Sequence, residues 1–252
     1  MSVFGKYVEE VGFESLREQC ADKKAEQVAT DNVQSDKIQA LEERLSALEN
    51  IVFKAETEKM IMELDNMKEL EEKSVSFLSN VDLVEKSISI KAKTTVTMDL
   101  NNKEIKAQAP NLDAILVEDG ATLTINGNGL VSAANGGNGY PIIANGKLII
   151  NGGEFKSGYD SEQLTNACVY ARGNGVIEIY GGRFETIDGT FVLNKKDSDR
   201  ETTTIKVYGG EFVNFDPSNN ASEIPNENFV AEGYKVESFV EGDKTIYKVV
   251  KA

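Results

Sequence analysis

Histidine and tryptophan are absent from the 252 residues, cysteine occurs only twice, and cations are scarce, with 27 Lys and Arg against 42 Asp and Glu. Without imidazole there is no Ser-His-Asp or Cys-His nucleophile system and no zinc site that needs a histidine ligand. Any catalysis would have to run on carboxylates, Lys, Arg or Tyr. The formal charge of −15 repels phosphate backbones and anionic headgroups, which argues against duplex nucleic acid and membrane as partners. Cys20 and Cys168 lie far apart in segments of different character, so reduced thiols are expected rather than a disulfide. The N-terminus lacks the basic-then-apolar texture of a secretory signal and no window reaches 18 apolar residues, the expectation for a chain made and folded in a cytosol. With aromatics at 8%, the core is expected to be mainly aliphatic.

Glycine is also scarce at first. Residues 1 to about 75 hold only Gly5 and Gly12, have no proline, and are rich in Glu, Leu, Ala, Gln and Lys, which predicts helix. Within 33–78, Ile38, Leu41, Leu45, Leu48 and Val52 alternate at spacings of three and four, the seam of a coiled-coil stem, although an amphipathic helix lying on its own chain has the same pattern. After Ala55 the register breaks, because continuing it would put Lys59 in the seam, and Met60, Leu64 and Met67 resume in a shifted frame. Residues 1–32 form a separate N-terminal segment in which Phe4, Tyr7, Val8, Val11, Phe13 and Leu16 crowd together without a heptad and need a partner surface.

From residue 84 the period changes to two and a repeat appears, with segments beginning at Met98, Leu123, Leu148, Ile177 and Ile205. Its first and third columns, Met98 and Leu100 through Ile205 and Val207, are apolar and predict inward-facing strand positions. The fifth and sixth columns gather Asn102, Gly127, Gly152, Gly153, Gly181, Gly182, Gly209 and Gly210, predicting a corner with positive φ in each copy. An eighth column returns Ile105, Leu130, Phe155, Phe184 and Phe212 to the interior. Strands without intervening helices, at spacings of 25 to 29 residues, predict a mainly β fold over 84–215: a right-handed, single-stranded parallel β-helix of about five coils. Stacked coils would place Asn101, Asn126 and Asn151 in an amide ladder, Tyr180 over Tyr208, and Glu154, Arg183 and Glu211 in a row of alternating charge. Over 216–252 a polar linker precedes two strands around Glu241-Gly242-Asp243, expected as a capping hairpin.

Little here points to chemistry. Asp99, Asp113, Glu118, Asp119, Asp160, Glu162, Glu178, Glu185 and Asp188 read as solvation of an acidic surface, and no spacing singles out a carboxylate pair for glycoside hydrolysis. In the loop 194–201 basic residues interleave with Asp197 and Asp199, which argues against Ca²⁺, and Asn126-Gly127-Asn128-Gly129 precedes no helix, which argues against a phosphate loop. No metal and no cofactor is expected. The polar excursions 157–166 and 195–201 are candidate contacts for a receptor or glycan.

The runs Ile150-Asn-Gly-Gly-Glu-Phe155, Val207-Tyr-Gly-Gly-Glu-Phe-Val-Asn-Phe-Asp-Pro-Ser218 and Asn228-Phe-Val-Ala-Glu-Gly-Tyr-Lys-Val236 resemble fibre and decoration proteins of tailed bacteriophages, over roughly residues 95 to 250. The short length is most similar to head fibres. This resemblance implies a non-enzymatic virion protein, a homotrimer, docked on the capsid through the N-terminal apolar cluster, with the C-terminal end outward and open to weak glycan adhesion. The seam alone leaves dimer and trimer open. A tail-fibre or tailspike receptor-binding protein, or a polysaccharide-degrading enzyme on the same fold, is the alternative.

Overall fold

The structure, a computed structural model, describes residues 32–133, 139–158, 167–186, 191–220 and 226–252, together with Ser15, Glu18 and Gln19. It divides into two units, 1–55 and 56–252, and helix α1 (Asn32–Asp65) contributes to both. The six N-terminal apolar residues Phe4, Tyr7, Val8, Val11, Phe13 and Leu16 lie outside the described residues.

With no glycine or proline inside it, α1 runs unbroken through the point where the seam changes frame. The shifted frame is the one that meets the main core. In the first unit Ile38 is buried, Leu41, Leu45 and Val52 are half-buried, and Leu48 and Ile51 stand 42% and 49% exposed. In the second unit Leu64 is buried in the main core, and Met60, Ile61 and Met67 pack against it. Past Asp65 the Asn66 side-chain amide donates to the Met62 carbonyl at 2.7 Å, satisfying one of the acceptors that a helix end leaves open.

The chain then winds through successive coils of three strands: β1 (Glu72–Ser76), β2 (Val81–Leu83) and β3 (Ile88–Ile90); β4 (Thr95–Asp99), β5 (Lys103–Ala107) and β6 (Ile115–Val117); β7 (Thr122–Asn126), β8 (Gly129–Ala133) and β9 (Ile142–Ala144). The fourth coil holds β10 (Lys147–Ile150), β11 (Glu154–Ser157) and β12 (Val169–Ala171), and the fifth β13 (Val176–Ile179), β14 (Arg183–Thr186) and β15 (Leu193–Lys195). After a short 3₁₀ turn at Asp197–Asp199, β16 (Thr204–Val207) and β17 (Gly210–Val213) open a last, partial coil. Equivalent strands pair in parallel into three sheets of order β1-β4-β7-β10-β13-β16, β2-β5-β8-β11-β14-β17 and β3-β6-β9-β12-β15. This is a parallel β-solenoid. Two longer strands, β18 (Tyr234–Glu241) and β19 (Lys244–Lys251), pair antiparallel with each other, and β19 continues the second sheet antiparallel to β17.

The solenoid begins earlier than the sequence suggests. β1 lies inside the stretch expected as stem, because Glu72, Lys73 and the serines disguise a strand whose only apolar residues, Val75 and the following Phe77, both face the core. The first repeat copy is also displaced. Val96, not Met98, pairs with Leu123, and Met98 pairs with Ile125. Ile105 pairs with Val131 rather than Leu130, and Val131 in turn with Phe155, leaving Leu130 on the outer face between Glu104 and Glu154. Corner length is the cause: the path from sheet one to sheet two runs Met98 to Ile105, then Ile125 to Val131, then Ile150 to Phe155, shorter by a residue each time. From there on the corner is constant, and Phe155, Phe184 and Phe212 stack inside the core with centroids 4.9 and 5.0 Å apart.

Cys168 is fully buried in that core, with its Sγ 3.2 Å from the carbonyls of Phe155 and Glu185. Burial pushes its thiol up to about 12, because a thiolate has no solvation there. In a Cys20→Ser chain, Cys168 should therefore resist alkylation by iodoacetamide at pH 8 and react promptly in denaturant. Labelling at equal rates in both conditions would contradict this burial.

Candidate functional site

Strand alternation puts every second side chain of the second sheet outside, and coil stacking lines these up as rows. One row runs Glu104, Leu130, Glu154, Arg183, Glu211 and on to Lys248 of β19, which faces Glu237 of β18. The alternating charges expected of Glu154, Arg183 and Glu211 are thus in register, and the hairpin extends the alternation by two residues. Arg183 Nη1 lies 3.3 Å from Glu211 Oε2 and Lys248 Nζ 3.0 Å from Glu211 Oε1, while Arg183 also pairs with Glu241. Burial pulls the Arg183 guanidinium down, but Glu241 and Glu211 outweigh it and hold it above its ordinary value.

A second row, Asp82, Lys106, Ser132, Lys156 and Glu185, lies beside the first. Along the second row an open groove of about 670 Å³ is lined by Glu104, Lys106, Ser132, Lys156, Glu185 and Lys244. Lys244 pairs with Glu185, whose hydrogen bond and charge raise the ammonium above the ordinary lysine value. Lys156 Nζ lies 3.1 Å from Glu154. The groove thus presents paired charges beside the Ser132 hydroxyl.

Along the corner between the first two sheets runs a trough of about 480 Å³ whose floor is glycine backbone and whose wall is Glu154, Arg183, Glu211 and Lys248. The expected corner glycines divide into two kinds. Gly127, Gly153, Gly182 and Gly210 have positive φ. Gly152, Gly181 and Gly209 do not; they are required because a Cβ there would meet the backbone oxygen of Gly127, Asn151 or Tyr180 in the coil below, at 2.9, 2.5 and 2.3 Å. At the lip of the trough Tyr180 and Tyr208 stack at 4.6 Å, and Asn151 donates to Asn126 at 2.7 Å. Asn101 does not join that ladder. Asp99 occupies its place opposite Asn126, and Asn101 turns at positive φ to donate to the Phe77 carbonyl.

Of the two excursions, residues 159–166 lie outside the described residues. In the other, Lys196, Asp197, Ser198 and Glu201 are exposed, whereas Lys195 and Asp199 are engaged with the fold. Lys195 takes an inward position opposite Ala171, only 5% of its side chain accessible, paired with Glu227 at 2.6 Å and lying over the Phe229 ring. Asp199 accepts the Gly173 amide at 2.7 Å and the Ser198 hydroxyl at 2.7 Å; these bonds hold its carboxyl below the ordinary value. Elsewhere, burial raises the carboxyl of Asp113, which accepts the Tyr140 amide at 3.0 Å and is not part of either groove. Glu118 is pushed up by burial, but the Ser89 hydroxyl, the Ala92 amide and Lys91 together hold it low. Among the described residues no three acidic or cysteine side chains converge to hold a metal.

One cluster escaped the sequence reading. On the outer face of the third sheet Ile143 is buried with Tyr140 and Ala167, against Leu116, Tyr170 and Phe191, and the rings of Tyr140 and Tyr170 stack at 4.7 Å. The signal was present: Ile115-Leu-Val117, Tyr140-Pro-Ile-Ile143 and Cys168-Val-Tyr170 are continuous apolar runs, the pattern of strands covered on both faces. Comparison with protein-family models, with curated proteins and with solved structures gives no match.

Proposed function

We propose that this chain is a structural virion protein, a head fibre or decoration subunit of a tailed bacteriophage, which docks through residues 1–32, trimerises along the α1 seam and displays a rigid solenoid. The observation that carries the reading is the seam itself. A helix free of glycine and proline leaves the seam residue Leu48 42% exposed and Leu41, Leu45 and Val52 only half-buried in the single chain, the condition that association along a heptad stripe relieves. The resemblance of residues 95 to 250 to phage fibres supports the rest. So do the grooves, whose charges are cross-paired and whose walls offer hydroxyls and amides suited to weak glycan contact. In this reading the β18–β19 hairpin is the cap of the last coil: β19 lies on β17, and Val249 joins Phe212, Phe215 and Phe229 in the core, closing an end that would otherwise expose strand edges.

Sedimentation of the purified chain is expected to give a stable trimer. At low micromolar concentration, replacing Leu45 and Leu48 with Asp should lower the mass about threefold while leaving the β circular dichroism intact. A monomer at micromolar concentration, or an unchanged mass in the double variant, would remove the seam as the assembly element. The rival reading, a polysaccharide-degrading enzyme on this fold, predicts new reducing ends from bacterial polysaccharides incubated with the protein.

A further inference from the structure

The second sheet ends on β18, and among the described residues no strand lies beyond it. Natural sheets blunt such an edge with proline, bulges or charged side chains, lysine above all, or keep it short. β18 has eight residues and no proline, its three charges Lys235, Glu237 and Glu241 are of mixed sign, and it leaves Phe239 45% and Val240 75% exposed. Its bonding phase is set by the pair Gly233 and Ala252, where the Ala252 amide donates to the Gly233 carbonyl at 2.8 Å. Antiparallel strands alternate bonded and non-bonded pairs. Lys235, Glu237, Phe239 and Glu241 therefore turn their backbone groups toward β19, and Val236, Ser238 and Val240 turn theirs to the free edge.

The side chains select what fits this edge. If the same strand of a second copy is laid antiparallel and centred on Ser238, Val236 faces Val240, Lys235 faces Glu241 and Glu237 faces Phe239, each twice by symmetry, with no like charges opposed. A shift of two residues one way sets Glu237 against itself, and two the other way sets it against Glu241; both place like charges directly opposite. A shift of one mismatches the free donors and acceptors and flips every side chain to the other face. We propose that the free edge of β18 is a homotypic docking strand, pairing in register about a two-fold axis at Ser238 with the β18 of a second copy and joining two eight-stranded sheets into one. Arg183, already paired with Glu241, then becomes the inner member of a charge network that extends to Lys235 of the second copy. This contact does not depend on the helical seam, which lies in the other unit.

A cysteine at the two-fold tests both pairing and register. In a Cys20→Ser chain, Ser238→Cys places two thiols on a bonded antiparallel pair with Cα atoms about 5.5 Å apart, inside the disulfide range. Val240→Cys is the control, since the register sets residue 240 opposite Val236 and not opposite itself. Mild oxidation should give covalent dimer from Ser238→Cys with at least about tenfold higher yield than from Val240→Cys. Independently, Ser238→Pro removes an N–H that points to the free edge, so it should spare the hairpin and abolish the contact. In the Leu45→Asp, Leu48→Asp background at tens of micromolar the mass should be two chains with Ser238 and one chain with Ser238→Pro. Equal cross-linking at the two positions, or a one-chain mass with Ser238 intact, would overturn the proposal.

Discussion

Replacing Phe184 with alanine is expected to destabilise the solenoid by about 3–5 kcal/mol, the usual range for deleting a buried aromatic ring. Phe184 is wholly buried between Phe155 and Phe212, parallel to both at 4.9 and 5.0 Å, so one substitution removes both stacking contacts from the column. Coil spacing is set by backbone hydrogen bonds and cannot shrink to fill the gap, which places the cost toward the upper end. Because each coil contacts only its neighbours, the loss should fall on the fourth to sixth coils, and denaturant unfolding followed by several probes should cease to be coincident. Phe184→Leu, which refills most of the volume, should cost about 1–2 kcal/mol. A loss below about 1 kcal/mol for the alanine variant would mean that the column is not a packed core.

The second large effect is expected at Gly181. A methyl group there would sit 2.5 Å from the Asn151 carbonyl oxygen of the coil below, and backbone cannot yield as a side-chain tip can. Gly181→Ala should cost about 2–3 kcal/mol, an overpacking penalty borne by the stacking itself. Gly233 provides the contrast. It has φ of +79 but nothing within 4 Å of an added Cβ, so Gly233→Ala should cost only about 1 kcal/mol of backbone strain. Thermal unfolding of the two variants side by side separates steric contact from conformational strain. Equal losses would show that the close approach of the coil below is not what requires glycine at position 181.

How far the molecule was legible depended on whether a feature repeats. The phenylalanine column, the alternating charges of Glu154, Arg183 and Glu211, and the Tyr180–Tyr208 stack could all be read, because the last three corners have the same length and one alignment serves them all. The same alignment failed at Met98 and Leu130, where the corners are longer and an apolar residue is available at the wrong step. The two kinds of glycine could not be told apart, since neither φ nor the neighbour in the next coil is written in a local pattern. Lys195 looked like an exposed loop residue because its partners, Glu227 and Phe229, return to it from another part of the chain.

Composition and period by themselves determined the class of the molecule: a glycine-poor helix with a heptad seam, followed by stacked strands cornered by glycine, with no imidazole chemistry. These follow from interactions local in sequence or repeated at a constant interval, which a linear reading can detect. Tertiary structure alone decided where the helix leaves its seam for the core at Leu64, which residue of each coil stands on which, and that the hairpin continues the charge row and leaves β18 as a free edge. Each of these depends on contacts between residues far apart along the chain, made where corner length and strand register bring them together.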